Sequence, residues 1–213
     1  MTAPLVIAGT DTDVGKTVFA AALAGALGAA YWKPVQAGLT GETDSQTVAR
    51  LAGPKLGRIL PETYRLALAA SPHLAAEREG LEIDPERLAL PIAPRPLVVE
   101  LAGGLMVPLN RKTLNLDLLA AWQAPVVLCA RTALGTINHS LLSLAALRQT
   151  GCSILGVAFV GTENESSETT IAEMGRVRRL GRLDLIPELT PTSLQAAFLG
   201  GFDVQDFVAE HSL

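Results

Sequence analysis

A chain of 213 residues carrying a formal net charge of −4 is long enough for one domain with a proper core. It lacks the basic excess that would draw it to nucleic acid. With 49% of its residues apolar, it is not a disordered chain. Cys129 and Cys152 form no C-x-x-C pair and suit a reduced cytoplasm, where the plain role for each is a small buried hydrophobe.

The start, MTAPLVIAGT, lacks the basic n-region of a secretory signal. The uncharged stretch from Val18 to Trp32 is too short and too rich in glycine and alanine to span a membrane. The expectation is a cytoplasmic protein with no nucleic-acid or membrane partner.

In chain order, PLVIA (4–8) reads as a strand, followed by a loop and then a helix buried nearly all round. YWKPV (31–35) is a second strand, and a helical pattern covers about 43–52. Residues 85–90 look helical within a Pro-rich connection, 85–96, that is no domain boundary. RPLVVE (95–100) is the third strand, 114–122 a helix, APVVLCA (124–130) the fourth strand and 137–149 a helix. CSILGVAFV (152–160), a helix over 166–180, and GRLDLI (181–186) complete the alternation. Continuous apolar runs of this kind are strands covered on both faces, which predicts an α/β fold with a mainly parallel sheet.

The loop between the first strand and its helix reads GTDTDVGKT (9–17). It ends as a phosphate loop does, in Gly15-Lys16-Thr17, but Gly9 stands one position early for G-x-x-x-x-G-K-[ST]. Two threonines and two aspartates crowd the interval. Its context, strand before and helix after, is the one a phosphate loop needs. Backbone N–H groups and the helix start would cradle anionic oxygens, Lys16 would reach the outer phosphates and Thr17 would ligate Mg²⁺. This extends the fold expectation to a three-layer sandwich of the phosphate-loop nucleotide-hydrolase kind, one domain over 1–213.

Lys33, in WKPVQAG (32–38), falls near the carboxyl end of the second strand, where open α/β sheets bind ligands. The sequence holds few lysines beside its arginines, and two of them lie in these two motifs. A compact ammonium at Lys16 and Lys33 suits negative oxygens met as point charges. In VVELAGG (98–104), Glu100 ends an apolar run before glycines and offers a hard oxygen to Mg²⁺; Asp44 in GETDSQ offers another, or else serves as a helix N-cap.

Together GTDTDVGKT, KPVQAG, the Asp44 segment, SPHLAAEREG (71–80), VVELAGG, GTINHSLLSLAALRQTG (135–151) and LIPEL (185–189) resemble the dethiobiotin synthetases of the biotin pathway, over nearly the whole chain. The resemblance implies ATP-dependent closure of a cyclic urea. CO₂ adds to one amine of 7,8-diaminononanoate, ATP phosphorylates the carbamate, the second amine attacks, and phosphate leaves. The long polar loop then has two anions to face, a triphosphate and a carbamate.

The resemblance also implies roles. Lys16 and Lys33 would bracket the transferring phosphoryl group and the carbamate, with Thr12 bonding near the reacting oxygens. Thr17, Asp44 and Glu100 would hold Mg²⁺. Asp13, Val14, Gly15, Lys16 and Thr17 would bind the nucleotide, with Leu101, Ala102 and Gly103 beside it and Gly103 along the substrate. Val160, Gly161, Ile186, Pro187 and Glu188 would line the base. A homodimer is implied, in which Thr136, Ile137 and Asn138 of a neighbouring subunit grip the tail carboxylate of the diamine.

Three positions depart from the family pattern. Ala37 stands where a substrate-touching serine or threonine is usual. Leu101 replaces the first glycine after the acid, where a left-handed backbone would be costly. Val160 and Gly161 stand where an Asn-Asp pair reads the adenine edge. His73, His139 and His211 have no zinc-like spacing and read as structural. Two other classes remain at this point: a phosphate-loop ATPase switch and a small-molecule kinase.

Overall fold

The computed structural model describes residues 4–93 and 96–208; Arg95 and His211, singled out above, lie outside them. The elements are β1 (Leu5–Gly9), α1 (Lys16–Leu27), β2 (Ala30–Trp32), β3 (Val35–Ala37), α2 (Asp44–Leu51), β4 (Ile59–Leu60), β5 (Tyr64–Leu66) and α3 (Pro72–Arg78). They continue with β6 (Leu97–Gly104), α4 (Asn115–Trp122), β7 (Val126–Arg131), α5 (Thr136–Gln149), β8 (Ile154–Val160), α6 (Glu165–Met174), β9 (Arg179–Leu183) and α7 (Pro191–Gly201).

Seven strands form one sheet in the order β4-β2-β6-β1-β7-β8-β9, and every neighbouring pair is parallel. The chain leaves β1 towards β2 on one side, and β7 later fills the other side. The loop after β1 therefore opens at a topological switch point, where parallel α/β sheets bind ligands. β3 and β5 make a separate parallel pair beside the main sheet.

Valine, isoleucine and alanine fill β1, β7 and β8 because both faces of these strands are covered. On one face lie α1, α2 and α7; on the other, Leu116 and Leu119 of α4 and Leu147 of α5 pack over Val6, Val99 and Val126. α1 starts at Gly15, in the left-handed region at φ 90°, and ends at Gly28, φ 60°, whose N–H returns to the carbonyls of Ala24 and Gly25. Its run of alanines lets it lie close to its neighbours. A methyl group at Gly25 would run into the backbone carbonyl of Ala52, so only glycine permits this approach of α1 to the end of α2.

Several element boundaries differ from the sequence reading. The second strand is two, β2 and β3, broken at Lys33-Pro34, because proline cannot donate to the ladder. The helix expected over 166–180 stops at Met174, and the last strand starts early, at Arg179. Residues 85–88 form a 3-10 turn with Pro85 at its first position. Asp44 is the first residue of α2; the N-cap is Thr43, in a capping box with Gln46. Leu101 lies extended in β6 and packs in the core, so no left-handed backbone falls on it; that conformation occurs at Gly103, φ 68°.

Candidate active site

The loop places Lys16 at the start of α1, 6% exposed, with Nζ donating to the carbonyl oxygen of Asp11 at 2.9 Å. Gly9 lies directly beneath: a methyl group there would stand 2.8 Å from Lys16 Nζ. The glycine is thus needed where the lysine folds over its own loop. Asp13 adopts φ 55°, a left-handed conformation that aspartate tolerates better than most residues. Gly15, at φ 90°, faces Val160, whose Cγ1 would be 2.6 Å from an added Cβ.

At the end of β2 the Lys33 ammonium is 3% exposed. Its Nζ stands 2.5 Å from Asp44 Oδ2 and 3.0 Å from Glu100 Oε1. The Thr17 hydroxyl donates to Glu100 Oε1 at 2.8 Å and lies 3.2 Å from Asp44 Oδ1. Tyr31 donates to Glu100 Oε2 at 2.7 Å. Gln36 accepts the Asp44 N–H and spends its amide on the carbonyls of Ala37 and Gly38. Two segments remote in sequence, Thr17 and Tyr31 with Lys33, thus donate to one buried carboxylate, Glu100, 1% exposed, and Asp44 joins through Thr17 and Lys33.

Burial alone would strip charge from Lys33, but the Glu100 and Asp44 carboxylates outweigh it, and its pKa is raised. Lys16 goes the other way: burial dominates the pull of Glu100, the Lys33 charge adds to it, and its pKa is lowered. Burial, reinforced by the Glu100 charge and hydrogen bond, holds the Tyr31 phenol well above its ordinary value, so it remains a donor.

Two cavities meet at Asp13. One, of about 580 Å³, is lined by Thr12, Lys33, Ala37, Asp44, Ala102 and Gly103, together with Gln36 and the Ala69–Pro72 segment. The other, of about 680 Å³, is lined by Val14, Gly15, Val18, Val160, Gly161 and Ile186, together with Arg131, Thr162, Glu163, Asn164 and Asp184. Pro187 and Glu188 are not among its lining residues. Asp13 of the loop thus stands between the two cavities.

Val160 and Gly161 are both held by close packing. Val160 presses on Gly15. Gly161 has φ 137°, and a Cβ there would collide with the Thr132 hydroxyl. Nearby, the Asn164 amide is spent on the Thr132 carbonyl and its oxygen caps α6 at Ser167.

The α5 start lies at the end of β7. Thr136 turns its hydroxyl inward to the Arg131 carbonyl and donates its N–H to Ala133 at 3.1 Å. Asn138 is exposed and Ile137 half-buried. Sequence reasoning missed Tyr31, Gln36, and the pair that joins Arg131 to Asp11 at 2.8 Å. His73 is remote from these groups in role: its N–H bonds the Pro108 carbonyl.

An AAA domain family profile matches residues 3–193. The ATP-dependent dethiobiotin synthetase BioD of Nitrobacter hamburgensis is 60% identical over 208 residues, covering 98% of each chain. That of Brucella ovis is 58% identical over 207 residues, covering 97% of this chain and 98% of its own.

This chain belongs to the ATP-dependent dethiobiotin synthetase family.

Membership at this identity over nearly the full length makes it an ATP-dependent ligase of biotin biosynthesis. Among solved structures, a ParA family ATPase from Chlorobium tepidum superposes with a TM-score of 0.55 at 11% identity, covering 97% of this chain and 93% of that one. The cell division ATPase MinD of Pyrococcus furiosus gives 0.57 at 14%, covering 92% and 90%. These two share the fold, and at such identities the fold alone; the synthetase relatives decide against a partition switch. No helix of the described residues is long and apolar enough to cross a membrane.

Proposed function

We propose that the cavity beside Lys33 binds 7,8-diaminononanoate as its carbamate, and that the loop between Gly9 and Thr17 presents the ATP γ-phosphate to it. The carbamate oxygen attacks phosphorus, ADP departs, and a carbamic-phosphoric anhydride forms. The second amine then attacks the carbonyl carbon, expels phosphate, and closes the ring.

One observation supports this reading above the others: the Lys33 ammonium lies in the same cavity wall as Thr12 and Gly103, next to the phosphate loop. Two anionic reactants must meet there, and a preorganised cation offsets their repulsion. Lys33 is held charged by Asp44 and Glu100, and Lys16 is positioned from the loop side. Both lysines would turn from their present oxygen partners to the reacting oxygens. Thr12 adjoins Gly103 in this wall: an added Cβ would stand 3.4 Å from the Thr12 hydroxyl and 2.9 Å from Val107, and with φ at 68° the position favours glycine.

The donor set of Thr17, Asp44 and Glu100, a hydroxyl and two carboxylates, suits Mg²⁺, which prefers hard oxygens. Their mutual distances bring all three to one point beside the loop. When bound, Mg²⁺ would supply Lewis-acid stabilisation of phosphate charge. The tail carboxylate of the diamine would be held by the α5 start of a second subunit in a C₂ homodimer. Because the Thr136 N–H is already engaged, Ile137 and Asn138 would make that contact.

Nucleoside binding falls to the larger cavity. The deciding test is ring closure with labelled bicarbonate, the diamine and ATP. Incorporation of label with stoichiometric ADP release is expected. ATP hydrolysis that proceeds without the diamine, with no labelled product, would overturn the assignment.

A further inference from the structure

We propose that Tyr31 is a positioning residue, fixing the Glu100 carboxylate so that one of its oxygens faces the phosphate loop. Tyr31 is fully buried in β2. β2 pairs with β6 in parallel, with Tyr31 opposite Val98. Side chains alternate along a strand, so Val98 and Glu100 share a face, and Tyr31 lies over that same face. The phenol oxygen reaches Glu100 Oε2 at 2.7 Å, while Oε1 receives Thr17 and Lys33.

The two carboxylate oxygens therefore have different tasks. Oε1 meets groups that the proposed chemistry requires to move or to change partner. Oε2 meets the hydroxyl of a fully buried ring packed in the core. When Lys33 turns to the reactants, Glu100 loses a charged partner while buried. The Tyr31 bond remains and keeps the carboxylate from rotating.

Partners that orient a metal-binding carboxylate typically contribute 10–100-fold in metal affinity. The inference rests on the proposal that Glu100 faces the cation, and the test separates the two. Mn²⁺ binding is measured by electron paramagnetic resonance on the full chain with a non-hydrolysable ATP analogue. The proteins compared are the wild type, Tyr31→Phe, Glu100→Gln and the double variant.

Tyr31→Phe should weaken Mn²⁺ binding by about tenfold and leave metal-free nucleotide binding unchanged. In the Glu100→Gln background it should cause no further loss. If Glu100→Gln binds Mn²⁺ as the wild type does, the cation reading itself fails. If Glu100→Gln is weakened but Tyr31→Phe is not, or if the two losses add independently, the positioning role alone is overturned.

A second measurement needs no deletion of the hydroxyl. The chain has two tyrosines, so 3-fluorotyrosine gives two ¹⁹F resonances. The one from Tyr31 should shift on Mg²⁺ addition with nucleotide and should not shift in Glu100→Gln. An unmoved signal in the wild-type background would overturn the proposal even if Tyr31→Phe fails to fold.

Discussion

Lys33 and Asp44 meet at 2.5 Å although one follows the strand β2 and the other opens the helix α2. Both residues line the smaller cavity, and Asp44, with its side chain 33% exposed, is the one of the pair more open to solvent. Lys33 is therefore both a candidate catalytic cation and the counter-charge that lets Glu100 stay buried.

Replacing Lys33 with alanine should consequently do two things. Loss of a preorganised charge at the reacting centre should lower turnover by about 10²–10³ at saturating substrate. It should also destabilise the free protein, by up to about 3–5 kcal/mol, because Glu100 loses its buried partner. Mg²⁺ with nucleotide should recover part of that stability. Single-turnover kinetics and thermal melts with and without Mg²⁺ check both; wild-type turnover would remove Lys33 from the chemistry.

The two lysines should separate with pH. Burial lowers Lys16 below its ordinary value of 10.5, so the unfolded chain holds that proton to higher pH than the folded one. Its contribution to stability rises with pH between the lowered value and 10.5. Lys33, raised above 10.5, contributes stability that is complete below that value and is lost as pH rises through its folded value. For function the order matters: kcat/KM for ATP should fall on the alkaline side through Lys16 while Lys33 is still charged. A profile flat to pH 10.5 would contradict the lowered Lys16 value.

The base should be read weakly. Val160 and Gly161 offer no side-chain hydrogen bond, and the amide of Asn164 is already engaged. A wrong base then leaves no buried polar group unpaired, and discrimination stays within about a few kcal/mol. Steady-state comparison of ATP, GTP and CTP checks this; a preference for ATP of four or more orders of magnitude, about 10⁴, would refute it.

Asn138→Ala should raise the diamine KM, by about tenfold for one lost bond to a charged group. It should lower kcat less, since the tail contact is the same in ground and transition states. Light scattering should find a dimer. A fully active monomer would end the shared-site proposal.

The central sheet was legible because long apolar strands leave continuous runs, as in VVLCA and GVAFV. β3, β4 and β5 were not, since two or three residues carry no period to read. α3 and α7 were also missed, although α7 announces itself: Thr190 before Pro191, with Ser193 completing a capping box, is a helix start. At the site, Lys16, Lys33, Asp44 and Glu100 stood in motifs and are brought together. Gln36 stood inside KPVQAG without a role being read for it, and Tyr31 and Arg131 stood in no motif. Their roles depend on strand order, which sets Tyr31 beside Glu100 and Arg131 beside Asp11 and which no local pattern encodes.

Most of the chain's phenylalanine sits in one knot. Phe19, one helical turn after Lys16, touches Phe198, Phe202 and Phe207 at ring distances of 5.9, 5.3 and 6.1 Å. Those three rings lie past residue 193, where the family profile ends. A protein cut at that boundary would keep every residue named in the reaction yet expose Phe19 to water. The first turn of α1 would lose the wall that steadies it, and Lys16, proposed to meet phosphate, would ride on a loosened helix. The C-terminal segment thus acts as ballast for the nucleotide loop, and trimming it is expected to weaken ATP binding before it unfolds the sheet.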